Sequence, residues 1–156
     1  MTLTETPTWN ESANLHTRAI WEFAGRFTSP NYTSAIRELE DDMINKYFHG
    51  DDELTDPHMW LRMASYAVNA NPLMERTFVA HTLCEKQRDY GPNNIARFGH
   101  KGLILRLHDK VARLENLIAS GESARNESVD DTYMDIVGYS VIGLMLMDGS
   151  FFFPLV

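Results

Sequence analysis

Glu85 and Asp89 stand four residues apart in CEKQRDYGPNN, residues 84 to 94, and Asp131 and Asp135 repeat that spacing further along. Residues at i and i+4 share a helix face, so each pair presents two carboxylates together. Asp109, in RLHDKVARL, falls between the pairs. Acids on one helix facing acids on another are how helical bundles build interior metal sites. A hard cation that takes oxygen ligands and keeps several waters, Mg²⁺, suits such a set. Asp135 is the most pointed of the five, because Met134 and Ile136 flank it in TYMDIVGY. A buried carboxylate without a partner is costly, so it needs a lysine or arginine from a neighbouring helix, or a metal. Asp89 is awkward for another reason. Gly91 and Pro92 end its helix near Tyr90, and the negative end of the helix dipole disfavours an acid unless Lys86, Arg88 or a metal stands close.

Cations gather beside these acids: Lys86, Arg88, Lys101, Arg106, Lys110 and Arg113. Lys101 is expected in a glycine-flanked loop, Gly99-His100-Lys101-Gly102, ahead of a helix whose free N–H groups would favour a phosphate. Metal, cations and helix terminus together describe a phosphate-ester site. Plainer roles compete with this. Asp131 fits the N3 position of a capping box opened by Ser128. Asp109 can pair with Arg113, and Glu85 with Arg88, as ordinary helix-surface pairs. The run ELEDDM, 38 to 43, reads as a solvated helix face. The histidines show no ligand spacing, and Cys84 has no His or Cys nearby.

The elements that must position these groups read as all-α, about six helices in a bundle. Apolar residues recur at helical spacing through Leu15, Ala19, Ile20, Phe23 and Phe27, then through Ile36, Leu39, Met43 and Tyr47. A third helix opens at Asp56-Pro57, a good N-cap followed by a good first residue, and runs to about Asn69. The fourth starts at Pro72 and runs into the opening stretch. A short turn of helix, Asn94 to Phe98, follows the GPNN turn. The fifth helix covers Leu103 to about Ser120, and the sixth begins at Ser128. Its later part, IVGYSVIGLMLM, is apolar on nearly every side, which places it at the centre of the core or at a subunit interface. The apolar tail FFFPLV, 151 to 156, must pack on the body or on a partner chain.

A chain of 156 residues is one domain by the usual prior. Its net charge of −8 and pI near 5.1 argue against a duplex nucleic-acid binder. A small anionic ligand would then depend on local cations or a divalent metal. The single cysteine rules out an intramolecular disulfide and fits a reducing, cytoplasmic setting. The N-terminus lacks the basic start and apolar run of a signal peptide, and no membrane span is expected. The sequons at Asn10, Asn31 and Asn126 carry little weight in that context.

Three blocks carry a resemblance: Lys86-x-x-Asp89-Tyr90-Gly91; Arg106-x-x-Asp109-Lys110-x-x-Arg113-Leu114-x-x-Leu117; and Glu127-Ser128-x-x-Asp131-x-x-x-Asp135-x-x-x-Tyr139. Together they resemble the nucleotide modification associated domain family, first type, a small all-α family frequent in phages. The resemblance spans about residues 75 to 147 and leaves residues 1 to 70 unassigned. That family looks distantly similar to the all-α nucleoside triphosphate pyrophosphohydrolases of the MazG and dimeric dUTPase kind, which hold Mg²⁺ with paired acids on a four-helix core. Such a core would occupy the C-terminal half of this chain. The second-helix glutamate cluster of those enzymes is missing here, with Asp109 and Glu115 the nearest substitutes.

The resemblance implies an Mg²⁺-dependent pyrophosphohydrolase converting an NTP or dNTP to NMP and pyrophosphate. Asp109 and Asp135 would be catalytic, and the metal would be held by Asp131, Asp135 and Asp109 with Glu85 or Asp89. Lys86, Lys101, Lys110 and Arg113 would neutralise the polyphosphate, and Tyr90 or Phe98 would stack on the base. Enzymes of that kind are mostly dimers or tetramers, which implies a homo-oligomer. Two other classes stay open: a protein that binds a nucleotide without turnover, and an interaction protein whose buried acids pair with Lys110 and Arg113.

Overall fold

Apolar residues at helical spacing, broken by turns bearing proline and glycine, fold here into helices and connecting turns. The computed structural model describes residues 6–121 and 128–156. Its helices are α1 (Trp9–Phe23), α2 (Tyr32–Met43), α3 (Pro57–Ala70), α4 (Arg76–Tyr90), the single turn α5 (Asn93–Ala96), α6 (Gly99–Ser120) and α7 (Val129–Asp148). A π-turn, Ile44–Phe48, extends α2, and 3-10 turns follow α1 and α7. The molecule is an all-α bundle. The short turn expected after GPNN brings the count to seven among the described residues. Glu127 of the third block and the sequon at Asn126 lie outside the described residues, as does the start MTLTE.

Caps explain most boundaries. Asn31 accepts the Ser34 N–H to open α2, and Asp56 accepts the His58 N–H ahead of Pro57 in α3. Ser128 and Asp131 form the expected capping box of α7, with Asp131 N–H donating to the Ser128 hydroxyl at 3.0 Å. Two starts differ from expectation. α4 begins at Arg76 rather than Pro72, because the Glu75 carboxylate accepts the N–H groups of Thr77 and Phe78. Hydrogen bonds from Thr77 and Phe78 hold that carboxyl below its ordinary range. α6 begins at Gly99, so Lys101 sits in its first turn and not in a loop. Gly102 does not break this helix. It leaves room for Phe98, whose Cβ would stand 2.6 Å from a Cβ at 102.

The central element is α7, which packs on α6 and, most extensively, on α3. Ile136, Val137, Val141 and Met145 are completely buried, as expected for its all-round apolar sequence. Close approach to α3 occurs at Gly143, against the indole of Trp60. Trp60 is itself fully buried, and its Nε1–H donates to His100 Nδ1 at 3.4 Å. Burial lowers the His100 pKa, keeping the ring neutral and able to accept.

Two surface assignments change. Leu15 is 60% exposed, because α1 turns Trp9, Ser12, Ala13, Thr17 and Ile20 inward. Its inward hydroxyls are satisfied: Thr17 donates to the Ala13 carbonyl, and Ser12 pairs with Ser150. ELEDDM is not wholly solvated, since Glu40 is fully buried while Glu38, Asp41 and Asp42 face out. Glu40 meets His108 of α6, which gives that histidine a structural partner that spacing did not reveal. Arg37 of α2 pairs with Glu115, so that glutamate is engaged on the α2 side of α6.

The apolar tail packs on the body. Phe151 is buried edge-on against Trp9, and the Trp9 backbone N–H donates to the Pro154 carbonyl at 2.8 Å. The Asn10 amide brackets Val156, donating to its carbonyl at 3.1 Å and accepting its N–H at 2.9 Å. No helix among the described residues is long and apolar enough to cross a membrane.

Candidate functional site

Asp135 has two ammonium partners. Lys110 Nζ of α6 lies 2.9 Å from its Oδ2, and Lys86 Nζ of α4 lies 3.4 Å from its Oδ1. The carboxylate is 18% exposed, Lys110 21% and Lys86 54%. Of the two solutions open to a carboxylate at this position, cations from neighbouring helices are the one the fold adopts.

This triad stands at the side of a cavity of about 260 Å³ between α4 and α7. The i, i+4 rule builds both walls. On α4, Leu83, Lys86, Gln87 and Tyr90 line it, and on α7 Met134, Asp135, Gly138, Tyr139 and Ile142. Arg106 enters from α6, Asn94 and Ile95 from α5, and Trp9 from the start of α1. Gly138 lets the walls close in, because a Cβ there would stand 3.1 Å from Leu83 Cδ2. The mouth depends on how α4 ends. Gly91, at φ +66, adopts a backbone that side chains disfavour and donates its N–H to Gln87. The chain then turns into α5, which leaves Tyr90 at the rim, 69% exposed.

Chemically the cavity has an apolar floor, aromatic rings at its sides and a cationic edge. Lys86, Arg106 and Asp135 are its charged lining residues, and Lys110 offsets Asp135 from outside the lining. In a chain of net charge −8 this is a local positive site. Residues 86–147 match the family model of nucleotide modification associated domain 1.

The match covers less than half of the chain, and it bears out the resemblance carried by the three blocks. No curated protein and no solved structure matches the chain. Within the matched segment, the fold gathers Lys86, Tyr90, Arg106, Asp135 and Tyr139 around one cavity, with Lys110 behind them. It does not gather the five acids. Glu85 is exposed and pairs with Arg88 at 2.8 Å. Asp89 is exposed on the last turn of α4, and Asp131 is exposed in the capping box. Asp109 is exposed one residue before Lys110, and neighbours in sequence do not share a helix face. Among the described residues no three His, Cys, Asp or Glu side chains form a group able to hold a metal. Mg²⁺ needs several oxygen ligands around one point, and the described residues bring no three such groups together. Lys101 and Phe98 are exposed outside the cavity lining, and Arg113 lies half-buried on α6.

Sequence reasoning passed over Arg106 and Tyr139 as site residues, although both belong to the quoted blocks. Arg106 shares a helix face with Lys110, four residues on, and Tyr139 with Asp135. Trp9 left no signal, because its place in the wall depends on the tertiary packing of α1.

Proposed function

We propose that this protein binds a nucleotide in the cavity between α4 and α7. The observation that carries the reading is the convergence of Lys86, Tyr90, Arg106, Asp135 and Tyr139, from three separate blocks of the matched segment, on one pocket. An aromatic-sided cavity takes a base by stacking, and an arginine or lysine at its edge takes a phosphate by charge-assisted hydrogen bonds. Asp135 acts as a positioning residue, holding the two ammonium groups at the edge. Phage-type nucleotide metabolism would suit such a binder.

Binding comes ahead of Mg²⁺-dependent hydrolysis in this proposal, because the five acids named for the metal are dispersed. Calorimetric titration with deoxynucleotides tests it. The wild type should bind, and Arg106→Gln should weaken binding about tenfold or more, since a charge-assisted bond contributes roughly 1.5 to 3 kcal/mol. A wild type that binds no nucleotide sinks the reading. Pyrophosphate released from a dNTP in the presence of Mg²⁺ would overturn the order and make the protein a pyrophosphohydrolase.

A further inference from the structure

The charged edge of the cavity is small, and its size bears on the ligand. Apart from Asp135, the charged lining groups are Lys86 and Arg106. They differ from Lys110 in how they are held. Lys110 sits 2.9 Å from Asp135 and is largely covered, so it serves to neutralise that carboxylate. Lys86 reaches Asp135 only at 3.4 Å and is more than half exposed. It can turn its ammonium toward a ligand while Lys110 keeps Asp135 paired. Counting all three cations against the one carboxylate leaves an excess of two positive charges. A phosphomonoester carries about −1.5 to −2 at pH 7, which matches that excess.

Space points the same way. At about 260 Å³ the cavity lies just below the range of roughly 300 to 1,000 Å³ usual for small-molecule sites. Leu83 and Ile95 make a buried floor fit for the flat face of a base, while Lys86 and Tyr90 stand at the exposed side. A ligand placed base-first turns its first phosphate toward the exposed side, where Lys86 stands, with Arg106 also in the lining to meet it. Further phosphates would reach past the lining, where the described residues offer the cavity no additional cation.

We infer that the site recognises a nucleoside monophosphate, with Lys86 and Arg106 as its phosphate clamp, and gains nothing from a second or third phosphate. This rests on the nucleotide reading above. The test is a titration series on the full chain: the four deoxynucleosides, their 5′-monophosphates and their 5′-triphosphates, each with and without Mg²⁺. At least one monophosphate should bind about tenfold tighter than its nucleoside, and its triphosphate should bind no tighter. Lys86→Gln, at a position more than half exposed, should remove most of the preference for monophosphate over nucleoside when the two ligands are compared on that same variant. A triphosphate that binds tenfold tighter than its monophosphate would overturn the inference and leave the nucleotide site standing. Equal binding of nucleoside and monophosphate would overturn the clamp. Failure of every compound to bind would remove the nucleotide reading itself.

Discussion

Gly143→Ala is the sharpest test of the packing that holds α7 in place. A Cβ at 143 would stand 2.3 Å from Trp60 Cε2 and 2.5 Å from Cδ2 and Nε1. The indole has little room to retreat, since it is completely buried, stacks on His100 and donates its N–H to that ring. Two effects oppose each other. Alanine gains about 1 kcal/mol over glycine in helix propensity, whereas overpacking costs about 1 to 3 kcal/mol and sometimes more. An overlap this deep against a rigid ring belongs at or beyond the top of that range, so a net loss of about 2 kcal/mol is expected. For a chain of this length that lowers Tm by about 4 to 8 °C, readable by circular dichroism. Gly138→Ala is the control. Its Cβ would meet only Leu83 Cδ2, at 3.1 Å, the end of a flexible side chain, and its stability should change by less than about 1 kcal/mol. If Gly143→Ala melts no lower than Gly138→Ala, the close approach of α3 and α7 is misplaced.

Two further perturbations bear on buried charge. Burial raises the Glu40 carboxyl above its ordinary value despite the bond from His108. The folded state therefore holds that proton more tightly than the unfolded chain, and the associated stability is present below the unfolded pKa and lost as pH rises through the folded one. Glu40→Gln should gain stability relative to wild type between pH 4 and pH 7 in urea unfolding; a constant difference across that interval would contradict the assignment. Asp135→Asn removes the carboxylate that Lys110 and Lys86 share, and because these side chains keep some exposure the cost should be about 1 to 3 kcal/mol, less than for a fully buried pair. Mg²⁺ should leave the melting of wild type and mutant alike unchanged, and a wild type stabilised by Mg²⁺ beside an unresponsive mutant would return the acids to a metal site.

How much of this was legible depends on how local the cause is. Local causes were readable: the capping box at Ser128, the stop at Gly91 and the apolar run of α7 all follow from neighbours within a few residues. The need of Asp135 for a cation or a metal was also visible, because Met134 and Ile136 flank it. Which of the two it would find was not, since the choice depends on where α4 and α6 lie beside α7. Glu40 was misjudged for the same reason. Its neighbours in ELEDDM are solvated, and only the packing of α2 on α6 brings His108 against it. Glu75 hid as a helix start because glutamate is not among the favoured N-cap residues.

The packing of Trp60 into Gly143 separates what is matched from what can stand alone. The segment that carries the family pattern ends at residue 147 and starts at residue 86, yet α7 packs most extensively on α3, and Trp9, Val79, Thr82 and Leu83 of the cavity lining lie outside it. Cut free, the matched residues would present an uncovered greasy helix and a cavity missing a side. The recognisable pattern is thus a signature written on part of a folding unit, and it is not itself a transplantable module. A chain that shares the pattern and this packing would need its own cover for α7 and its own ring beside the pocket, a demand on shape more than on sequence. Diversity among such chains should therefore collect in the supporting helices, where shape alone is demanded.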